Sequence, residues 1–432
     1  MFPELSPELH QLKEAGVTLV AGEVEGGWEM ILKNAVNGTL KPVYNFLKNY
    51  PDLKDAPMPV LPKNLLQAYV VNRFATLDCG RGCPFACSFC TVINVHGRVM
   101  RCRSVDSIFD MIRRNYLQHK IDFYFITDDN FSRNKNWQII LEGLIRLRHE
   151  ENIKLSFMIQ VDTQSHKIPD FVRLAAEAGC SQVFIGVESL NEKNLQAAEK
   201  KQNKVENFQT MIDTYFESGI GAHVAYIIGF PFDSPDSVAE DMRRLQEDLV
   251  PPQISFFMLT PLPGSADHKA AHARGMFMDA DLNNFDTFHE TFRHEKMLER
   301  TWKKAYESAW KNFYGVSNMI RILKRTPPDK YWGIFLNFIW YKNAVEVEKG
   351  HPMIHGFFRQ KTRKDRRSMF SLENRFAFFS RRLKDLVGTF IGWGRLALDM
   401  GEVWISTRFR TLLQNRAEVE LSRCDRKDFY EK

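Results

Sequence analysis

The chain has 432 residues and a formal net charge of +6, and its cysteines number seven, several of them clustered. This cysteine usage argues against a disulfide framework and favours a reducing compartment. The first residues, Met1 to Lys13, contain no apolar stretch of the secretory type, and no run of about eighteen apolar residues occurs. We therefore expect a cytoplasmic enzyme without a transmembrane helix, large enough for a barrel-sized core and accessory segments.

The first element that the sequence predicts is a short βα unit. Residues 17–28 indicate a buried strand, a glycine-containing turn and the start of a helix that continues to about Ala35. Gly38 and the extended segment Lys41–Tyr44 follow, and the proline-rich stretch Pro51–Pro62 is interpreted as a linker. A simple packing extension and the remnant of a larger α/β domain explain these residues equally well.

From Phe74 onward, short apolar segments alternate with helical patterns. The predicted strands are rich in valine, isoleucine or phenylalanine: Phe74–Leu77, Phe123–Thr127, Leu155–Gln160, Gln182–Val187, His223–Ile228 and Ile254–Leu259. The predicted helices lie between them: Ser104–His119, Asn136–Glu150, Pro169–Ala178, Lys193–Ala198, Val205–Ser218 and Pro235–Asp248. This alternation predicts a parallel sheet or barrel, with functional residues at the carboxyl ends of the strands.

Three cysteines follow the first of these strands within eight residues: Cys83, Cys87 and Cys90, spaced C-x3-C-x2-C. Three thiolates on one loop can hold three corners of a four-iron cluster and leave one iron open for a substrate or cofactor. Two alternatives remain open. Cys79 or Cys102 could cap the fourth iron of an electron-transfer cluster, and a zinc site could use the pair of Cys87 and Cys90.

Residues with chemical or conformational interest also follow the later strands. Asp128 and Asp129 come after the second strand, Glu188 after the fourth and Gly229 after the fifth. Two adjacent carboxylates are costly unless they are paired or solvated, and a glycine at a strand end suits close approach of another group. The simpler interpretations are a helix N-cap for the acids and an ordinary turn for the glycine.

In this order, the motifs resemble the radical S-adenosylmethionine (radical SAM) superfamily, especially its cobalamin-associated branch, whose members often carry a similar Asp-Asp-Asn-Phe. The resemblance implies an α/β fold, a partial (β/α)6 barrel of the TIM type. It implies three ligands of a [4Fe-4S] cluster whose open iron chelates S-adenosylmethionine: Cys83, Cys87 and Cys90. It also implies five contacts to S-adenosylmethionine: Phe89, near the adenine, with Asp128, Asp129, Glu188 and Gly229.

The N-terminal unit resembles the last strand and exit of the cobalamin-binding domain that precedes many radical SAM cores. That domain is a complete doubly wound fold, whereas only a few dozen residues precede the core here. Its Asp-x-His-x-x-Gly motif is absent as well. The resemblance therefore implies an incomplete N-terminal α/β remnant, and cobalamin use only if a full-length chain or a partner supplies the missing domain.

The region after the barrel is predicted to be helical and basic. Aromatic residues at helical spacing, among them Trp302, Trp310 and Tyr314, are expected in a core. Residues 355–395 interleave phenylalanines with arginines and lysines. That composition suits an anionic membrane surface or RNA, and a solvated basic helix with a buried aromatic face is the simpler explanation.

These observations predict three regions: a remnant with its linker (1–62), a radical SAM core (63–285) and a helical extension (286–432). The predicted function is reductive cleavage of S-adenosylmethionine to a 5′-deoxyadenosyl radical, for C–H activation or methyl transfer on a small-molecule or lipid-like substrate. A flavodoxin or ferredoxin is the expected electron donor, nucleic acid is not expected as a partner, and residues 355–395 would give peripheral contact at the inner membrane face. The alternatives are an iron–sulfur electron-transfer protein and an RNA- or membrane-binding protein with a structural metal.

Overall fold

The computed structural model describes residues 7–47, 49–66, 73–298, 300–352, 355, 362–364 and 371–409. The chain forms two compact units, Met1–Asp241 with Phe256–Ala305 and Met242–Ser255 with Tyr306–Lys432. The first unit carries the N-terminal segment as well as most of the sheet. The domain boundaries predicted after residues 62 and 285 stay predictions.

The N-terminal segment contains the predicted strand, turn and helix. Its elements are α1 (Pro7–Glu14), β1 (Leu19–Ala21), α2 (Trp28–Val36), β2 (Val43–Asn45) and α3 (Lys63–Leu66). Strands β1 and β2 pair in parallel, with Leu19 opposite Val43. Ala21, Ile31 and Tyr44 are buried, so one apolar residue from each of β1, α2 and β2 anchors this small layer.

The remaining strands include the sheet that organises the first unit. They are β3 (Phe74–Leu77), β4 (Gly80–Arg81), β5 (Arg101–Cys102), β6 (Phe123–Ile126), β7 (Ser156–Val161), β8 (Cys180–Glu188), β9 (Gly221–Ile228) and β10 (Gln253–Met258). A six-stranded sheet has the order β10-β9-β8-β7-β6-β3, and every neighbouring pair from β3 to β9 is parallel. Strands β4 and β5 form a separate antiparallel pair. The predicted α/β class is confirmed, with a six-stranded sheet whose strands from β3 to β9 are parallel.

Helices connect these strands, as the sequence predicts. They are α4 (Val92–Val95), α5 (Val105–His119), α6 (Trp137–His149), α7 (Phe171–Ala178), α8 (Glu192–Ala197), α9 (Phe208–Glu217), α10 (Pro235–Arg244) and α11 (Ala266–Ala273). In β7 every second residue, Phe157, Ile159 and Val161, is buried, whereas β9 is buried along nearly its whole length. A parallel strand covered on both faces needs a continuous apolar run, which explains the apolar sequence of β9.

The second unit is helical, which confirms the predicted helical extension. Its helices are α12 (Thr301–Phe313), which begins in the first unit, α13 (Val316–Arg325), α14 (Tyr331–Lys342) and α15 (Arg375–Trp404). Trp310, Tyr314 and Tyr341 are buried against one another, and the Tyr314 hydroxyl donates to the Ile254 carbonyl at 2.5 Å. Part of the predicted membrane-contact segment, residues 356–361 and 365–370, lies outside the described residues. None of the helices described is both long and apolar enough to cross a membrane.

Candidate functional site

The three clustered cysteines lie on the loop between β4 and α4, directly beyond the end of β3. Cys87 is buried and Cys83 and Cys90 are half-buried, and all three are free thiols. The Cys90 amide donates to the Cys87 carbonyl at 3.1 Å, and the Cys83 amide donates to the Gly97 carbonyl at 3.2 Å. Backbone bonds therefore hold both ends of the C-x3-C-x2-C segment.

Burial makes two of these thiols, Cys83 and Cys90, poorer acids than a free cysteine. It raises the pKa of Cys90 to about 11, and the neighbouring Cys87 and Cys83 add to this effect. Burial likewise raises the pKa of Cys83. Metal ligation requires thiolates, so loading of this site must release protons and should be favoured by alkaline pH.

Three closely spaced soft donors fit a [4Fe-4S] cluster, whose ligands each bind a different iron. In the part of the chain that the structure describes, no group of three or more His, Cys, Asp or Glu side chains is placed so that it could hold a single metal ion. Cys79 is fully buried, with its pKa well above the ordinary value because of that burial and the nearby Asp128. The Cys102 thiol donates to the Asn134 side-chain carbonyl at 3.1 Å.

Asp128 and Asp129 bind the backbone around the cysteine loop. The buried Asp128 carboxylate accepts hydrogen bonds from the Cys79 amide at 2.6 Å and the Gly80 amide at 3.1 Å. Asp129 accepts from the Gly82 amide at 2.7 Å and pairs with the His96 ring at 2.9 Å. The two acids thus fix the entry and the exit of the loop. Neither role could be read from the sequence, which suggested cofactor contacts or an N-cap.

Asp128 lies where a carboxylate is strongly desolvated. Its burial raises its pKa to about 7, against the lowering effect of hydrogen bonds from the Asn134 side chain and the two amides. The backbone carbonyl of Asp128 accepts from the Gln160 side chain at 3.1 Å. Asp128 is therefore surrounded by protein donors on the β6 side of the site, and it acts on the loop through those bonds.

A second network supports the loop from the side of β7. Asp162 accepts from Arg133 at 2.7 Å and from the Asn130 side chain at 3.0 Å. The Arg133 guanidinium lies over the Phe85 ring, 5.6 Å from its centroid. Phe85 stands between the first two cysteines, so this cation–π contact ties the cysteine loop to the end of β7.

Three arginines that flank the cysteine loop form ion pairs. Arg81 binds Glu23 at 2.7 Å, and Arg101 binds the same buried carboxylate. Arg103 binds Asp78 at 3.0 Å. Glu23 follows β1, so the N-terminal segment neutralises cations that flank the loop. No local sign of this pairing exists in the sequence, because Glu23 lies 58 residues before Arg81.

Glu188 ends strand β8 in an unusual conformation. Its φ is +69°, and the strand register shifts between Gly186 and Glu188. A side chain on Gly186 would overlap the Glu188 carboxylate and the Lys200 ammonium. The Asn203 side chain donates to the carbonyls of Gly186 and Val187 at 2.9 and 2.8 Å. A left-handed, non-glycine residue held by its surroundings is typical of a functional site.

Glu188 forms a buried ion pair with Lys200, a residue that the sequence analysis missed. Burial alone would lower the pKa of Lys200, but the charge of Glu188 and the nearby Cys87 and Cys90 thiols outweigh it, and the pKa is raised. The Lys200 ammonium also lies 5.6 Å from the centroid of the Phe89 ring. A fixed cation therefore stands beside the cysteine loop, where an anionic cluster would gain from it.

The Phe89 side chain packs between Lys200 and the residues that follow strand β9. Its ring contacts Phe230 edge-on, with the centroids 6.1 Å apart. Gly229 has φ +116° and donates its amide hydrogen to Asp233 at 2.8 Å. A Cβ on Gly229 would overlap the indole of Trp302, which donates to the Ile228 carbonyl at 2.9 Å. Packing against Trp302 is therefore sufficient reason for this glycine.

We expect Gly229→Ala to lower the free energy of unfolding by roughly 2–5 kcal/mol, because it combines a core overlap with a strained backbone. Gly26→Ala is the matched control, since a Cβ there meets no atom within 4 Å. Urea unfolding of both variants measures the difference. Equal midpoints for Gly229→Ala and the unsubstituted protein would contradict this account of Gly229.

The pair of His96 and Asp129 predicts a dependence of stability on pH. The hydrogen bond and charge of Asp129 raise the pKa of His96. Because the pKa of His96 is higher in the folded state, the protonated pair stabilises the fold fully below the unfolded-state pKa of about 6.5. This stabilisation is lost as the pH rises through the folded-state pKa. We expect His96→Gln to flatten the fall of unfolding free energy that accompanies a rise of pH above about 6.5. Parallel urea series would show this, and an unchanged slope would contradict it.

Comparison with known proteins gives one family and several relatives. The model of the radical SAM superfamily matches residues 77–245. Bacteriochlorophyllide d C-12(1)-methyltransferase of Chlorobaculum tepidum is 26% identical over 334 residues, 76% of this chain and 69% of that protein. Bacteriochlorophyllide d C-8(2)-methyltransferase of the same organism is 22% identical over 299 residues, 65% of this chain and 64% of that protein.

The solved structure of the cobalamin-dependent S-adenosylmethionine radical enzyme OxsB, with aqua-cobalamin bound, aligns with a TM-score of 0.54 at 15% identity. The alignment covers 97% of this chain and 67% of OxsB, which shows a shared fold. The chain thus spans about two thirds of the length of these three proteins. The predicted resemblance is confirmed, and a [4Fe-4S] cluster and S-adenosylmethionine are the cofactors of the matching family.

Proposed function

Because residues 77–245 form a radical SAM domain, we propose that this chain holds a [4Fe-4S] cluster on Cys83, Cys87 and Cys90 and uses it to cleave S-adenosylmethionine. A cluster held by these three thiolates would supply the one-electron reduction of the sulfonium of bound S-adenosylmethionine, the chemistry that yields methionine and a 5′-deoxyadenosyl radical. The observation that supports this most strongly is the loop itself. It carries three free thiols, and hydrogen bonds to Asp128 and Asp129 hold its backbone in place.

The surrounding residues divide into two groups. Asp128 and Asp129 position the loop, because their carboxylates are already engaged by its amides and by His96. Lys200 supplies a fixed positive charge beside the thiolates, and Glu188 keeps that ammonium charged in a buried place. The direct cofactor contacts that the sequence suggested for the three acids stay a prediction.

Phe89 and Gly229 remain the proposed neighbours of the adenine. Phe89 and Phe230, which follows Gly229, already contact each other edge-on, and they offer an aromatic face for a flat base. The backbone amides of Gly229 and Phe230 both donate to Asp233, at 2.8 and 3.0 Å. That arrangement fixes the position of the strand end against which the base would lie.

For the overall reaction we propose methyl transfer or hydrogen abstraction on a small-molecule or lipid-like substrate. The support comes from the two relatives, whose names describe methyltransferases. In this proposal cobalamin would come from a fuller chain or a partner; the described residues before the sheet form β1, β2, α1, α2 and α3. A flavodoxin or ferredoxin would provide the electron. We place the protein in the cytoplasm with peripheral contact at the inner membrane face, and nucleic acid is not part of the proposal.

The test is formation of 5′-deoxyadenosine. The protein is reconstituted anaerobically with iron and sulfide, reduced with dithionite and supplied with S-adenosylmethionine, and the product is measured by mass spectrometry. We expect 5′-deoxyadenosine and methionine in equal amounts without any substrate, by slow uncoupled turnover. A fully loaded, reduced cluster that yields neither product would contradict the proposal.

A further inference from the structure

Helix α15 has two apolar faces, and within the described part of the chain one of them is buried and the other is exposed. Phe378, Leu396, Met400 and Val403 are buried, and the Trp393 indole on that side donates to Asn343 at 2.9 Å. On the opposite side, large apolar residues are 50–83% exposed: Phe376, Phe379, Leu383, Val387, Phe390 and Leu398. We call these six residues the exposed stripe.

The exposed stripe follows a straight line along the helix. With ~3.6 residues per turn, Leu383, Val387, Phe390 and Leu398 all project within about a sixth of a turn of Phe376. A two-stranded coiled coil instead repeats every ~3.5 residues, so that its seam drifts around a straight helix by about 20° per heptad. A straight stripe about 33 Å long is complementary to a flat surface.

The charges beside the stripe favour an anionic surface. Lys384 and Arg395 lie on one flank and Arg375 on the other, and none of them forms an ion pair with another described residue. The acids that face inward, Asp385 and Asp399, are paired with Arg382 at 2.9 Å and Lys342 at 3.1 Å. Glu402 is the acidic residue near the stripe. The cations therefore predominate at its border.

We propose that the exposed stripe of α15 binds the surface of an anionic lipid bilayer, with the helix lying in the plane of the interface. An interfacial helix buries one apolar face at the level of the headgroups, and flanking lysines and arginines contact the anionic lipids. The opposite face of α15 stays packed on its own unit, so the binding requires no unfolding. This surface is independent of the cysteine site and does not rest on the function proposed for that site.

The experiment is flotation of the full chain with vesicles of phosphatidylcholine alone or with phosphatidylglycerol, at low and high salt. The stripe variant is Leu383→Glu with Phe390→Glu. The matched control is Leu117→Glu on α5, where a leucine that is 67% exposed lies outside the stripe. We expect the unsubstituted chain and the control to float with anionic vesicles, and the stripe variant to lose at least about tenfold in affinity.

Two further measurements decide between lipid and protein as the occupant. Lys384→Gln with Arg395→Gln should weaken binding to anionic vesicles by roughly fivefold per charge at low salt. Sedimentation in the absence of lipid should give the same mass for the chain and the stripe variant. No flotation of the chain on anionic vesicles at low salt, or a dimer that the stripe variant dissociates, would overturn the proposal. Circular dichroism confirms that each variant is folded.

Discussion

Replacing Cys87 by alanine is expected to abolish both cluster binding and formation of 5′-deoxyadenosine. Cys87 is the buried member of the three thiols, and with it removed two thiolates remain on the loop, too few to hold a cluster that uses three protein ligands. Iron and sulfide content after anaerobic reconstitution, the visible absorption of the cluster and product formation all measure this change. We expect iron to fall to background and the product to be undetectable.

The matched controls are the cysteines of the first unit that lie outside the proposed ligand set. Cys180→Ala removes a buried thiol on β8 and should leave iron content unchanged. Cys79→Ala and Cys102→Ala should also keep the cluster, because neither belongs to the proposed ligand set. If Cys79→Ala or Cys102→Ala lost iron as completely as Cys87→Ala, the cluster would have a fourth thiolate and the electron-transfer alternative would stand.

Replacing Lys200 by methionine is expected to produce the second largest effect. The substitution leaves the Glu188 carboxylate buried without its counter-ion, and removing one partner of a buried pair typically costs about 3–5 kcal/mol. It also removes the cation beside Cys87 and Cys90. We therefore expect both a lower urea midpoint and weaker retention of iron.

Lys201→Met is the control, because it makes the same change at the next residue, whose side chain is exposed. It should change the free energy of unfolding by no more than about 0.5 kcal/mol. Adding Glu188→Gln to Lys200→Met removes the orphaned charge and should recover part of the stability. If Lys200→Met behaved like Lys201→Met, the ion pair would have no energetic role in the site.

The strands could be predicted closely because their signal is local. Phe74–Leu77 was predicted with the bounds that the structure shows, and the predicted Gln182–Val187 lies within Cys180–Glu188. Apolar, β-branched runs that end in polar or glycine residues are recognisable within a few positions of the chain. The cysteine spacing is local in the same sense, which is why it pointed to the family.

The roles of individual side chains could not be predicted, because they depend on partners that are distant in sequence. The residues next to Asp128 in the sequence do not indicate that its carboxylate accepts a hydrogen bond from the Cys79 amide, 49 residues earlier. Arg101 and Glu23 are 78 residues apart. Gly229 suggested close approach of a ligand, whereas the group that excludes a side chain there is Trp302 on a later helix.

For the pair of Glu188 and Lys200, the sequence indicated one residue and not the other. The acid stood out because it follows an apolar strand, but the lysine lies twelve residues later, after a short helix, with no periodic relation to it. The buried pair lies where β8 ends in a left-handed residue, Glu188, whose carboxylate contacts the Lys200 ammonium. That backbone conformation is not encoded by a glycine or asparagine, so sequence patterns gave no warning of it.

The most direct test of the central claim is whether S-adenosylmethionine binds an open iron of a cluster held by Cys83, Cys87 and Cys90. The measurement is electron paramagnetic resonance and electron–nuclear double resonance spectroscopy of the reduced, reconstituted protein. The S-adenosylmethionine that is added carries nitrogen-15 at its amino group. We predict that the cofactor changes the cluster signal and that a nitrogen-15 coupling appears. A reduced four-iron signal that is identical with and without the cofactor would contradict the account, because it would mean that the fourth iron is already capped.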